Sequence, residues 1–139
     1  MRLFILFTLL SGFQLKHFIA DYVLQGRYML RKFDRTGWLI PLASHAAVHG
    51  LFTFFISAYT LMMLTSVSTL KLNLASFILA AYDFVQHFTM DRIKSSPNLL
   101  GRYKDKEKRE FWLCLGFDQM VHHLSDLLIV FFLIKLCGY

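Results

Sequence analysis

Residues 17–21 read HFIAD and residues 87–91 read HFTMD, each placing a histidine and an aspartate four residues apart in apolar surroundings. His45 with His49 and Asp118 with His122 share that spacing. On a helix such a pair lies about 40° apart around the axis and about 6 Å along it. Both side chains can then reach one ion, as the two histidines of an HExxH helix reach zinc. A lone histidine on an apolar helix is more often a hydrogen-bonded core residue than a ligand. An intramembrane aspartate is more telling, because its burial is costly unless it is paired or coordinated. Four such pairs reinforce one another, against the alternative of a metal-free network in which Asp21, Asp91 and Asp118 each hold a histidinium.

The expected ligands are therefore His17, Asp21, His45, His49, His87, Asp91, Asp118 and His122, enough for one or two divalent ions. Mixed imidazole and carboxylate donors suit zinc, manganese or iron. Asp83 and Asp126 extend two stripes at steps of four, Asp83-His87-Asp91 and Asp118-His122-Asp126, and are expected to orient ligand imidazoles from one turn deeper. Gln25 continues the His17-Asp21 face, and Lys16 has the choice of pairing with a nearby acid or snorkelling. His123 lies about 100° from His122 and is expected to face elsewhere. Asp91 and Asp118 are the candidates for bridging carboxylate or general base. Lys94, just past Asp91, can offset phosphate charge or serve only to orient the chain in a membrane.

These residues need helices to hold them. The chain has 139 residues, 56% of them apolar, with mean hydropathy +0.48, which is too apolar for an ordinary soluble domain of this size. From Trp38 to Leu70 no Lys, Arg, Asp or Glu occurs over 33 residues, more than the ~20 that cross a bilayer core. Residues 3–25, 70–93 and 111–136 are long enough as well, and their lack of ten-residue alternation favours helices over barrel strands. The expected fold is all-α: one domain over 1–139, an integral membrane four-helix bundle with spans 3–25, 38–65, 70–93 and 111–136. The apolar run after Arg2 has about the length of a secretory signal, but no clear small-x-small cleavage site follows it, so it is read as the first span. Cys114 and Cys137 lack CxxC spacing and indicate neither a disulfide framework nor a zinc knuckle.

Loops 26–37 and 94–110 carry ten basic residues, from Arg27, Arg31, Lys32 and Arg35 to Lys94, Arg102, Lys104, Lys106, Lys108 and Arg109. The positive-inside rule puts both loops in the cytoplasm and both termini on the other side, and Trp38 and Trp112 suit an interfacial belt. The formal charge of +6 is thus mostly topology. The partners expected are the lipid bilayer and, at the loops, an anionic lipid or phosphate-bearing substrate; no nucleic acid is expected, since no binding motif is present. Tyr103–Glu110 is expected to form a short interfacial helix. With helices alternating in direction, all four pairs fall at one depth near the cytoplasmic face.

The two His-x3-Asp pairs are 70 residues apart, and His45 to Asp118 and His49 to His122 are each 73 apart. Two tandem helical hairpins related by a pseudo-two-fold axis along the membrane normal would give that pattern.

The set HFIADYVLQ, SHAAVH, HFTMDRIK and FDQMVHH resembles the small integral-membrane family catalogued as domain of unknown function number 3307, from bacteria and phages. The resemblance covers nearly the whole chain. It implies functional positions at His17, Asp21, Leu24, Gln25, His45, His49, His87, Asp91, Lys94, Asp118, Gln119 and His122, which adds Gln119 to the supporting residues, and an inner-membrane location. A more distant similarity, to membrane-bound metal-dependent hydrolases regulated by the SOS repressor, implies hydrolysis. The leading expectation is a membrane-embedded metal-dependent hydrolase acting near the cytoplasmic face on a phosphate-bearing lipid. The alternatives are a di-iron membrane oxidase or hydroxylase, and a non-enzymatic metal-binding or ion-handling protein.

Overall fold

The computed structural model describes residues 2–139. The described chain is helical and contains no strand. Helix α1 (Arg2–Phe18) continues through a π-helical turn, Ile19–Val23; α2 (Arg27–Leu30) is a single turn followed by a 3₁₀ turn at Arg31–Phe33. Three long helices follow, α3 (Leu39–Leu64), α4 (Thr69–Ser95) and α5 (Arg109–Leu136), with a 3₁₀ turn at Leu100–Arg102 before the last.

Local chemistry sets several of these ends. Pro41 lies in the first turn of α3, where its missing N–H has no helical partner to lose. Ser96 is extended ahead of Pro97, which a helix cannot readily cross, and so α4 ends at Ser95. Residues 65–68 turn the chain tightly from α3 into α4. These two helices run very close: a Cβ on Gly50 would lie 3.0 Å from the Ala80 carbonyl oxygen and 3.3 Å from Phe84 Cβ. That approach fixes the spacing between His45 and His49 on one helix and Asp83, His87 and Asp91 on the other.

The short helix expected over Tyr103–Glu110 does not form. Asp105 takes the backbone N–H of Glu107 on its side chain (3.1 Å) and that of Lys108 on its carbonyl (3.1 Å), a turn that competes with helix, and α5 begins only at Arg109. The first helix also departs from its expected span, closing in the π turn at Val23 rather than continuing to Gln25.

α1 packs against α3 and α5, and α4 packs against α3 and α5. At one end the space between them is filled by Leu9, Phe13, Leu61, Leu79, Ile129, Val130 and Leu133. At the other it is filled by histidine, aspartate and lysine. The outward faces are apolar, with Phe4, Ile40, Leu51, Phe55, Leu70, Phe77, Leu113 and Phe131 all exposed. Three helical stretches, Arg2–Val23, Leu39–Leu64 and Arg109–Leu136, are long and apolar enough to cross a membrane. α4 has the length but also carries Asn73, Asp83, Gln86 and His87, which lower its hydropathy.

Candidate metal centre

All eight residues of the four pairs meet in one network. Seven are buried and Asp21 is half-buried. Asp21 Oδ1 lies 3.0 Å from His49 Nε2 and 3.3 Å from His45 Nε2, while its Oδ2 lies 3.2 Å from His17 Nε2. His45 Nε2 is also 3.2 Å from Asp91 Oδ2, and so it joins one carboxylate to the next. His122 Nε2 lies 3.7 Å from Asp91 Oδ1 and 3.3 Å from Asp118 Oδ1. The imidazoles of His49 and His87 stack at 3.6 Å, and those of His87 and His122 at 4.2 Å.

Three sets of donor atoms are compact enough to hold a metal ion: His17, His49 and His87; Asp21, His45 and His49; Asp91, Asp118 and His122. The donors themselves argue for a ligand. Both nitrogens of His17, Nδ1 of His45 and His49, Nε2 of His87 and Oδ1 of Asp118 are buried and make no hydrogen bond, although His17 Nε2 and Asp118 Oδ1 each lie within 3.3 Å of an oppositely charged or chargeable group. Buried polar atoms are nearly always satisfied, and this many unsatisfied donors at one place fit a divalent cation well.

A deeper layer of charged side chains lies against two of the rings. Lys16 Nζ, fully enclosed, donates to Asp83 Oδ2 at 3.0 Å and to Asp126 Oδ1 at 2.8 Å; of the two alternatives for this lysine, pairing is the one observed. Thr53 Oγ1 donates to the same Asp83 Oδ2 at 2.5 Å. Asp83 Oδ1 lies 2.9 Å from His87 Nδ1, whose hydrogen bond goes to the Asp83 backbone carbonyl at 3.2 Å. The proton of His87 therefore belongs on Nδ1, and the Nε2 lone pair is available to the cluster. Asp126 Oδ2 faces His17 Nδ1 at a longer 3.8 Å. His122 is held similarly: its Nδ1 lies 3.1 Å from the Gln86 amide oxygen, which accepts its proton.

A third layer comes from the first basic loop and the last turn of α4. Lys32 Nζ donates to Asp91 Oδ2 at 2.6 Å, and Lys94 pairs with Asp118 Oδ2, which also accepts from Gln119 Nε2 at 3.1 Å. Arg92 stacks on the Trp38 ring, 3.5 Å from its centroid, and ties the end of α4 to the start of α3.

Two expected placements change. Gln25 does not continue the His17-Asp21 face. The π turn, closed by Leu24 N–H on the Ile19 carbonyl (2.9 Å), swings the chain away, and Gln25 Nε2 folds back to the Asp21 carbonyl at 2.6 Å. His123 does not point wholly elsewhere, since its half-buried ring lies 5.1 Å from that of His17 at the margin of the cluster.

Lys32, Thr53 and Gln86 were not foreseen. Thr53 had a signal, because His45, His49, Thr53 and Ser57 recur at steps of four along one face. Gln86 had a weaker one, as an amide inside an apolar stretch. Lys32 had none, because it sits among other loop cations.

No curated protein and no solved structure matches the chain. A protein family does match, over residues 5–137. The chain belongs to that family, described as protein of unknown function (DUF3307).

Proposed function

We propose that the chain is a membrane-embedded, metal-dependent hydrolase, built as a four-helix bundle whose His/Asp cluster holds one or two divalent ions near the face that carries the basic loops. The observation that carries this reading is the convergence of four i, i+4 pairs into one buried network with unpartnered donor nitrogens and oxygens. A membrane setting is supported by the three long apolar helices and by the apolar outward surface. The two basic loops lie on the cluster's side, which favours the cytoplasmic leaflet under the positive-inside rule. The recurrence of His17-Asp21 as His87-Asp91, 70 residues on, supports a duplicated hairpin.

Asp21, His45 and His49 would hold one ion, and Asp91, Asp118 and His122 a second, with His17 and His87 completing the set. A bound zinc, manganese or iron ion supplies Lewis acidity, which polarises a phosphoryl or carbonyl group and acidifies water. The chain's own residues do the rest. Asp118 would take the proton of the attacking water as a bond forms from the water oxygen to phosphorus and the ester P–O bond breaks, and the proton would pass to the leaving alkoxide. Lys94, on Asp118 Oδ2, holds that carboxylate in place and offsets negative charge as it develops. Asp91, gripped by Lys32 and flanked by His45 and His122, is positioned to bridge the two halves.

Ion transport is less well supported. Beyond Lys16, Asp83 and Asp126 the interior passes to Phe13, Leu61, Ile129 and Leu133, with no ionisable side chain among the described buried residues.

The test is metal-dependent turnover. Detergent-purified protein is stripped with a chelator, reloaded with zinc, manganese or iron, and incubated with a phospholipid mixture while products are followed by mass spectrometry. Hydrolysis restored by one metal and abolished by Asp91→Asn and Asp118→Asn is expected. Oxidised rather than hydrolysed lipid, appearing only with iron and oxygen, would replace the hydrolase with the oxidase.

A further inference from the structure

Beside the mouth of the cluster lies a cavity of about 210 Å³, enclosed by both basic loops and the first turns of α5. Phe33, Leu100, Phe111 and Leu115 give it apolar walls, and Lys94 and Lys104 are its charged groups; no acidic residue lines it. Lys94 connects it to the centre, since the same ammonium pairs with Asp118. An ammonium has three donors, and among the described residues one of them is engaged, by Asp118. Lys104 has no hydrogen-bond or ion-pair partner among the described residues and is exposed.

The loop that forms this cavity is seated firmly. Gly101 N–H donates to the Ser96 carbonyl at 3.0 Å, and a Cβ at Gly101 would stand 2.7 Å from the carbonyl oxygens of both Ser95 and Ser96. Only glycine permits so close an approach, which carries Tyr103 and Lys104 over the end of α4. On the other wall, Phe33 directly follows Lys32, the lysine that grips Asp91. Both cations that contact the centre's carboxylates are therefore fixed to this cavity, one by lining it and the other through its neighbour.

We propose that this cavity is the headgroup site for an anionic phospholipid with a terminal phosphomonoester, the substrate class of the hydrolase reading on which this inference rests. A phosphomonoester carries roughly −1.5 to −2 charge near neutral pH and offers three acceptor oxygens, which suits two lysines with donors to spare. The Phe33, Leu100, Phe111 and Leu115 walls receive the glycerol and the first methylenes, while the acyl chains stay in the bilayer. A zwitterionic choline headgroup brings a cation between the two lysines and is disfavoured.

Binding to the metal-stripped, detergent-purified full chain is measured by calorimetry for dihexanoyl phosphatidic acid, dihexanoyl phosphatidylcholine and inorganic phosphate. Phosphatidic acid is expected to bind at least about tenfold more tightly than either of the others. Lys104→Glu and the cavity-filling Leu115→Trp are each expected to weaken it about tenfold or more, while metal content, read on the reloaded proteins, stays that of the wild type. Equal binding of the two lipids, or a Lys104→Glu variant that binds phosphatidic acid normally, would overturn the site. Inorganic phosphate binding as tightly as phosphatidic acid would overturn the lipid and assign the cavity to a free anion. Selective binding without hydrolysis on reloading supports the site and removes the hydrolase, whereas hydrolysis without headgroup selectivity does the reverse.

Discussion

The same four long helices enclose two unlike interiors. Toward one end, Leu9, Phe13, Leu61, Leu79, Ile129, Val130 and Leu133 fill the space with carbon. Toward the other, within a few helical turns, three aspartates, five histidines and their lysine partners fill it with donors and acceptors. The boundary is the layer of Lys16, Thr53, Asp83 and Asp126, whose lysine and hydroxyl donate to one oxygen of each carboxylate and leave Asp83 Oδ1 beside the ring of His87. Packing holds the apolar half together and tolerates replacement by apolar side chains of similar volume at modest cost. The polar half is held by ion pairs among its aspartates, histidines and lysines, and there removing one member strands another.

That difference should appear first at the boundary. Lys16→Met leaves Asp83 and Asp126 as two uncompensated buried carboxylates and is expected to cost about 3–5 kcal/mol, read from thermal unfolding in detergent. Adding Asp83→Asn to Lys16→Met should recover part of that loss. A cost below about 1 kcal/mol would show that the layer does not act as a closed unit.

Asp83→Asn alone tests the link to the centre. It removes the negative charge beside His87 Nδ1 and is expected to lower metal affinity about 10–100-fold in chelator competition, with helical content unchanged. Unaltered affinity would leave Asp83 as a partner of Lys16 and nothing more.

In the apolar half, Leu133→Ala is expected to cost about 2 kcal/mol through the cavity it leaves, with metal content at the wild-type level. A loss of metal there would mean the two halves are coupled. The smallest effect belongs to the loops away from the mouth. Lys108 faces Asp105 at 3.7 Å with both side chains largely exposed, and Lys108→Ala should change stability by less than about 0.5 kcal/mol.

Much of the centre was legible in the sequence because helix periodicity is rigid. Once a pair is four apart on a helix it shares a face, and once successive helices alternate direction the pairs share a depth. His17, His49 and His87 meet through no other information. What periodicity could not reach was conformation outside the α-helix. The π turn at Ile19–Val23 shifts Gln25 off its expected face, and the Asp105 turn removes the helix expected over Tyr103–Glu110. Lys32 was hidden for another reason: its charge looked like that of its neighbours Arg31 and Arg35, and only the path of the chain through a 3₁₀ turn brings it to Asp91.

The central claim is that the polar half is a metal site, and the direct measurement is elemental analysis of detergent-purified protein beside His17→Ala and Asp118→Ala variants. One or two equivalents of zinc, manganese or iron in the wild type, with loss in both variants while helicity persists, is the predicted result. Folded wild-type protein without stoichiometric metal, even after incubation with each of these ions, would contradict it and leave the aspartates as partners of lysine and histidinium alone.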